Sequence, residues 1–146
     1  MPDRAGYVRR NRPAPNKTIM KILVIDNDIN INGLIKSVLS MDKTFEVDFS
    51  LSGKEGLKKL KGEHYDLALV DLTMPEVSGF DICNFMSADE DLKSVPVIII
   101  SAMPINDKSF QAEHGNFQNL PVVKGLIEKP FDVHELLDKI RALGKK

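Results

Sequence analysis

Strand-sized apolar runs alternate with helix-spaced apolar patterns along most of this chain, and that alternation restricts its fold more than any other feature. Ile22–Ile25 is a continuous apolar run that ends on Asp26-Asn27-Asp28. Ile31, Leu34, Ile35, Val38 and Leu39 then recur at helical spacing, with Asp28 or Asn30 placed to cap them. Phe45-Glu46-Val47-Asp48-Phe49 alternates like an edge strand, and Ser52 opens a second helix bearing Leu57 and Leu60, with lysines on its outer face. The next strand ends on Asp71, just before a turn signal of Pro75, Ser78 and Gly79. Ser78 to about Leu92 reads as a third helix, with Phe80, Ile82, Cys83, Phe85 and Met86 on a broad apolar side. Val95–Ile100 is nearly all β-branched and forms a fourth strand ending at Ser101. A helix is expected near Asp107–His114, stopped by Gly115, ahead of an irregular stretch over Asn116–Pro121. Gly125–Glu128 is a short fifth strand, and Asp132 caps a last helix with Leu136, Leu137, Ile140 and Leu143 inward. Continuous apolar strands belong to sheets buried on both faces. Five of them alternating with five helices imply an α/β fold: a doubly wound, five-stranded parallel sheet with helices on both faces.

The bulk properties fit that reading. The 146 residues suit one domain with a sizeable core, and 42% hydrophobic with 28% charged residues is the composition of an ordinary soluble globular protein. No apolar stretch approaches membrane-span length, since the longest, Val95–Ile100, is strand-sized and carries Pro96. The N-terminus is basic but has no apolar core or small-residue cleavage site of a secretory signal. The single cysteine, Cys83, cannot form an intrachain disulfide, which is compatible with a reducing cytoplasm, and it reads as a small hydrophobe on a helix face. Residues 1–19 carry Arg4, Arg9, Arg10, Arg12 and Lys17 against Asp3 alone, a net +4, which leaves −5 for the remainder of a chain whose total is −1. With Pro2, Pro13 and Pro15 and no apolar period, residues 1–19 read as a disordered basic leader or tag, and 20–146 as the folded domain.

In a doubly wound sheet, chemistry gathers beyond the carboxyl ends of the strands, where the strand order reverses. Three strands end there on polar residues, Asp26, Asp71 and Ser101, and the fifth ends on Lys129-Pro130. Two carboxylates, a lysine and a hydroxyl make a site for a divalent cation and a phosphoryl group: carboxylate oxygens suit Mg²⁺, and the lysine and hydroxyl suit phosphoryl oxygens. His64, His114 and His134 show no metal-ligand spacing and read as surface residues.

The residues Ile22-Leu23-Val24-Ile25-Asp26, Val70-Asp71-Leu72-Thr73-Met74-Pro75 with Ser78-Gly79-Phe80, Ile100-Ser101-Ala102 and Lys129-Pro130-Phe131, in this order, resemble the receiver domain of two-component response regulators, from Lys21 to about Leu143. The resemblance implies a flavodoxin-like receiver fold in which Asp71 accepts a phosphoryl group from a histidine kinase or phosphotransfer protein. It implies Mg²⁺ held by Asp26, Asn27, Asp71 and the backbone carbonyl of Thr73. It implies that Ser101 hydrogen-bonds the phosphoryl oxygen, that Lys129 pairs with it, and that the Lys129-Pro130 bond is cis. The implied protein is not an enzyme beyond its own phosphorylation and dephosphorylation. It is cytoplasmic, monomeric or weakly dimeric, makes no direct contact with nucleic acid or membrane, and signals to a downstream protein or output domain.

Two positions depart from the family pattern. Asn27 stands where a second acid is usual, which takes one charge from the cation site. Leu126 stands where an aromatic usually swings between two positions, and the segment Ala102–Lys124 is longer than usual. These departures support an alternative, a degenerate receiver acting as a phosphorylation-independent binding module. A rival enzyme reading is a haloacid-dehalogenase-type phosphatase using Asp26 as nucleophile and Asp28 as acid. Asn30 occupies the place where that family prefers Thr or Val, and the reading leaves the Asp71 segment without a role.

Overall fold

A computed structural model describes residues 19–102, 108 and 119–144. Its elements run β1 (Met20–Ile25), α1 (Ile29–Ser40), β2 (Phe45–Ser50), α2 (Gly53–Gly62), β3 (Leu67–Asp71), α3 (Gly79–Ala88), β4 (Val97–Ser101), β5 (Val123–Glu128) and α4 (Val133–Gly144). The strands form one parallel sheet in the order β2-β1-β3-β4-β5. The order reverses at β1 and β3, so their carboxyl ends, at Asp26 and Asp71, lie side by side. The expected helix at Asp107–His114, apart from Lys108, and the leader up to residue 18 lie outside the described residues.

Burial on both faces explains the continuous apolar strands. Leu23, Ile25, Val70 and Ile99 pack with Leu60 of α2 and Ile82, Cys83 and Met86 of α3. On the opposite face Ile22, Val24, Leu69, Ile98 and Ile127 pack with Ile35 and Leu39 of α1 and Leu136 and Ile140 of α4. Each such side chain contributes roughly 1.5–3 kcal/mol by leaving water. Cys83 belongs to this core, and burial pushes its thiol up to about 12, so it is inert at neutral pH.

The helix starts follow the expected capping residues. Asp28 accepts from the Asn30 and Ile31 amides, Ser52 from Glu55, and Ser78 forms a reciprocal box with Asp81. The Asp132 carboxylate accepts from the His134 amide at 2.8 Å. Three boundaries differ from expectation. α3 stops at Ala88, not near Leu92, because the Asp89 carboxylate accepts from the Asp91 and Leu92 amides and diverts the chain into a turn. β4 begins at Val97: Pro96 lacks an N–H, although its carbonyl still accepts from Ala68 at 3.0 Å. β5 begins at Val123 rather than Gly125, across a register shift between Val97 and Ile98.

Two glycines on the helices give opposite expectations. A Cβ at Gly79 would lie 2.3 Å from the carbonyl oxygen of Asp71, whereas one at Gly33 would meet nothing within 4 Å. Gly79→Ala should therefore lower stability by about 1–3 kcal/mol through forced displacement of the backbone. Gly33→Ala should raise it by roughly 0.5–1 kcal/mol. Urea denaturation of both variants measures the contrast.

Candidate functional site

Four strand ends converge on one cluster. Asp71 is the last residue of β3 and is 5% exposed; Asp26 follows β1 directly and is 2% exposed. Lys129 follows β5, and its amide donates to the carbonyl of Ser101, the buried last residue of β4, at 2.8 Å. The ammonium of Lys129 lies 2.9 Å from Asp26 Oδ2 and 3.6 Å from Asp71 Oδ1, so one cation spans both carboxylates. The Lys129-Pro130 peptide is cis, as the sequence led us to expect.

Each carboxylate is also held by the main chain. The Asp28 amide donates to Asp26 Oδ1 at 2.9 Å, and the Thr73 amide donates to the Asp71 carboxylate. Burial raises Asp71 to about 6, with further upward pressure from the Asp26 charge; Lys129 and the Thr73 amide pull the other way. The arrangement is two crowded carboxylates with one ammonium, a donor set that fits a hard divalent cation with oxygen ligands. Among the described residues no three His, Cys, Asp or Glu side chains cluster as metal ligands, in keeping with the neutral side chain at Asn27. Asn27 is exposed beside Asp26, and Thr73 is exposed beyond Asp71.

Asp28 and the described histidines take the places read for them from the sequence. Asp28 caps α1 through its own carboxylate. His64 pairs with Asp66 at 3.1 Å on the surface, His134 is exposed, and His114 lies outside the described residues. One residue at the site was not anticipated. Asn32, on the buried face of α1 with Ile35 and Leu39, donates its Nδ2 to the Asp26 carbonyl at 2.6 Å. A polar side chain on an otherwise apolar helical stripe was the available signal.

The model of the response regulator receiver domain matches residues 22–141. This chain belongs to that family. It is 34% identical over 127 residues to response regulator ArlR of Staphylococcus saprophyticus and 32% identical to ArlR of Staphylococcus aureus; each match covers 86% of this chain and 53% of the relative. The chain thus spans about half the length of these curated relatives. A response regulator receiver domain protein from Methanospirillum hungatei superposes with a TM-score of 0.74 at 25% identity, covering 87% of this chain and 95% of that one. The response regulator TrrA from Thermotoga maritima, solved in complex with Mg²⁺ and BeF, superposes with a TM-score of 0.69 at 26% identity, covering 86% and 99%.

The receiver domain is a module of two-component signalling, and the doubly wound parallel sheet is the fold of these neighbours. The phosphatase reading fails with the family assignment, and its acid, Asp28, is engaged as a helix cap. No helix among the described residues is long and apolar enough to cross a membrane.

The raised Asp71 value carries a signed consequence for stability. The folded chain holds this proton more tightly than the unfolded chain, whose carboxyl titrates near 3.8. The contribution of Asp71 to stability is therefore fully present below about 3.8 and is lost as pH rises through about 6. In buffer containing a chelator, Asp71→Asn should stabilise the receiver at pH 8 by up to about 3 kcal/mol, with the gain vanishing towards pH 4. Thermal unfolding across that pH range measures it, and a gain independent of pH would contradict the electrostatic cause.

Proposed function

We propose that Asp71 is the phosphoacceptor of this receiver, charged by the phosphohistidine of a histidine kinase or phosphotransfer protein. The observation that carries this reading is the Lys129 ammonium at 2.9 Å from Asp26 and 3.6 Å from Asp71, beside the buried end of β4 at Ser101. An oxygen of the ionised Asp71 carboxylate attacks phosphorus, the P–N bond to imidazole breaks, and the imidazole leaves. Lys129 and the Ser101 hydroxyl bind the transferred oxygens, because phosphoryl transfer depends chiefly on positioning and neutralisation of charge. Mg²⁺ held by Asp26, Asp71, the Asn27 amide oxygen and the Thr73 carbonyl would offset the negative charge brought together by the two carboxylates and the phosphoryl group. The Mg²⁺–BeF complex of TrrA, a family member of the same fold, supports this assignment. The phosphorylated domain would act through contact with a downstream protein or output domain.

Leu126 favours a second reading in which phosphorylation couples weakly to that contact. It is half-buried against the core beneath α2 and α3, paired in register with Ile99, and has neither a ring to swing nor a hydroxyl to expose.

Intact-mass measurement after incubation with acetyl phosphate and Mg²⁺ tests the main reading. The wild type should gain one phosphoryl group and Asp71→Ala none; a modification that survives Asp71→Ala overturns the assignment. Asn27→Asp adds a third carboxylate to the proposed cation site, so it should bind Mg²⁺ several-fold more tightly, by charge count. Calorimetric titration of the two proteins measures the difference, and equal affinities would show that Asn27 is no handicap.

A further inference from the structure

Asn32 is 1% exposed, and its two amide atoms have opposite fates. Nδ2 donates to the carbonyl oxygen of Asp26 at 2.6 Å, while Oδ1 is buried with no hydrogen-bond partner among the described residues. The amide can sit only this way round, since the reverse would bring two acceptors into contact. A side chain present only to fill space would avoid an orphaned buried carbonyl, and leucine has the same branched shape without one. The clamp on Asp26 is therefore what the amide supplies. Asp26 sits where β1 has ended and α1 has not begun. Its amide continues the sheet ladder to Ser50 at 3.2 Å, and its Oδ1 accepts from Asp28 within the same turn. Beside the Asp28 cap on the first turn of α1, the Asn32 side chain ties the Asp26 carbonyl itself to the body of the helix.

We propose that Asn32 is a positioning residue for divalent-cation binding, holding the β1–α1 turn so that the Asp26 carboxylate and the neighbouring Asn27 amide face the cation. The inference rests on the reading of the site given above. A small hard cation demands near-fixed ligand geometry, and groups that hold ligands from behind commonly control affinity by about 10–100-fold.

Calorimetric titration of the full chain with Mg²⁺ alone, for wild type, Asn32→Leu and Gly33→Ala, tests it. Asn32→Leu should bind about tenfold or more weakly, while its thermal midpoint without cation changes little, because one orphaned acceptor replaces another: Oδ1 is gone and the Asp26 carbonyl has lost its donor. Gly33→Ala changes the stability of the same helix with no neighbour within 4 Å, and should keep wild-type affinity. Equal affinity of wild type and Asn32→Leu overturns the proposal, and so does a loss of affinity matched by a loss of thermal stability. A wild type that takes up no Mg²⁺ overturns the functional reading and this inference with it. If Asn32→Leu does not fold, NMR of the wild type decides: the Asn32 side-chain amide protons should shift with the same Mg²⁺ midpoint as the Asp26 backbone amide, and unmoved protons overturn the proposal.

Discussion

One ammonium group makes the architecture of this site tenable. Asp26 and Asp71 are both nearly fully buried, and the Asp26 charge raises the cost of ionising Asp71. Lys129, brought from the far end of the sequence by β5, lies within 2.9 Å of one and 3.6 Å of the other. Its position depends in turn on the sheet, because its amide is fastened to the Ser101 carbonyl at the end of β4. Strand pairing, the turn at Pro130 and the electrostatics of the carboxylates are thus one connected arrangement. Removal of the ammonium would leave the two carboxylates in a half-dry site with unbalanced repulsion.

The sheet order explains why these residues, distant in sequence, meet at all. With β1 and β3 central and adjacent, every crossover returns the chain to the same edge, and the strand ends form a row. Close backbone approach keeps that row tight. Gly79 lies against the carbonyl of Asp71, so the start of α3 is pressed onto the residue that carries the carboxylate. The capping box of Ser78 and Asp81 then fixes the helix start directly beyond the site.

The sheet and most of the site were legible in the sequence because both rest on strong local signals. Continuous apolar runs ending on Asp26, Asp71, Ser101 and Lys129 mark buried parallel strands, and the topology follows from their alternation with helices. Boundaries set by side-chain hydrogen bonds were less legible. Nothing in the period of α3 marks Ala88 as its end, since the turn there depends on the Asp89 carboxylate capturing two amides. The start of β5 at Val123 depends on pairing across a shifted register with β4, a non-local property. Asn32 was missed for a related reason: its partner is a backbone carbonyl six residues away, in a turn whose conformation periodicity does not define. Tyr65 is similar, a buried ring whose hydroxyl donates to Asp48 at 2.8 Å from a strand seventeen residues earlier.

Charge bookkeeping at the cluster shows what Asn27 would change. Two carboxylates and one ammonium leave a single negative charge in excess, and a divalent cation turns that into a single positive excess. A phosphorylated aspartate carries close to two negative charges in place of one, which brings the whole cluster near neutrality. A third carboxylate at position 27 would strengthen cation binding to the empty site but would leave the phosphorylated cluster negative. On the proposed reading Asn27 would therefore shift the electrostatic balance towards the phosphorylated, cation-bound form and away from the cation-bound form without phosphate. On that reading the cation and the phosphoryl group would stabilise one another, and the turn at Asp26, tied to α1 by the Asn32 amide, would be where that mutual stabilisation meets the fold.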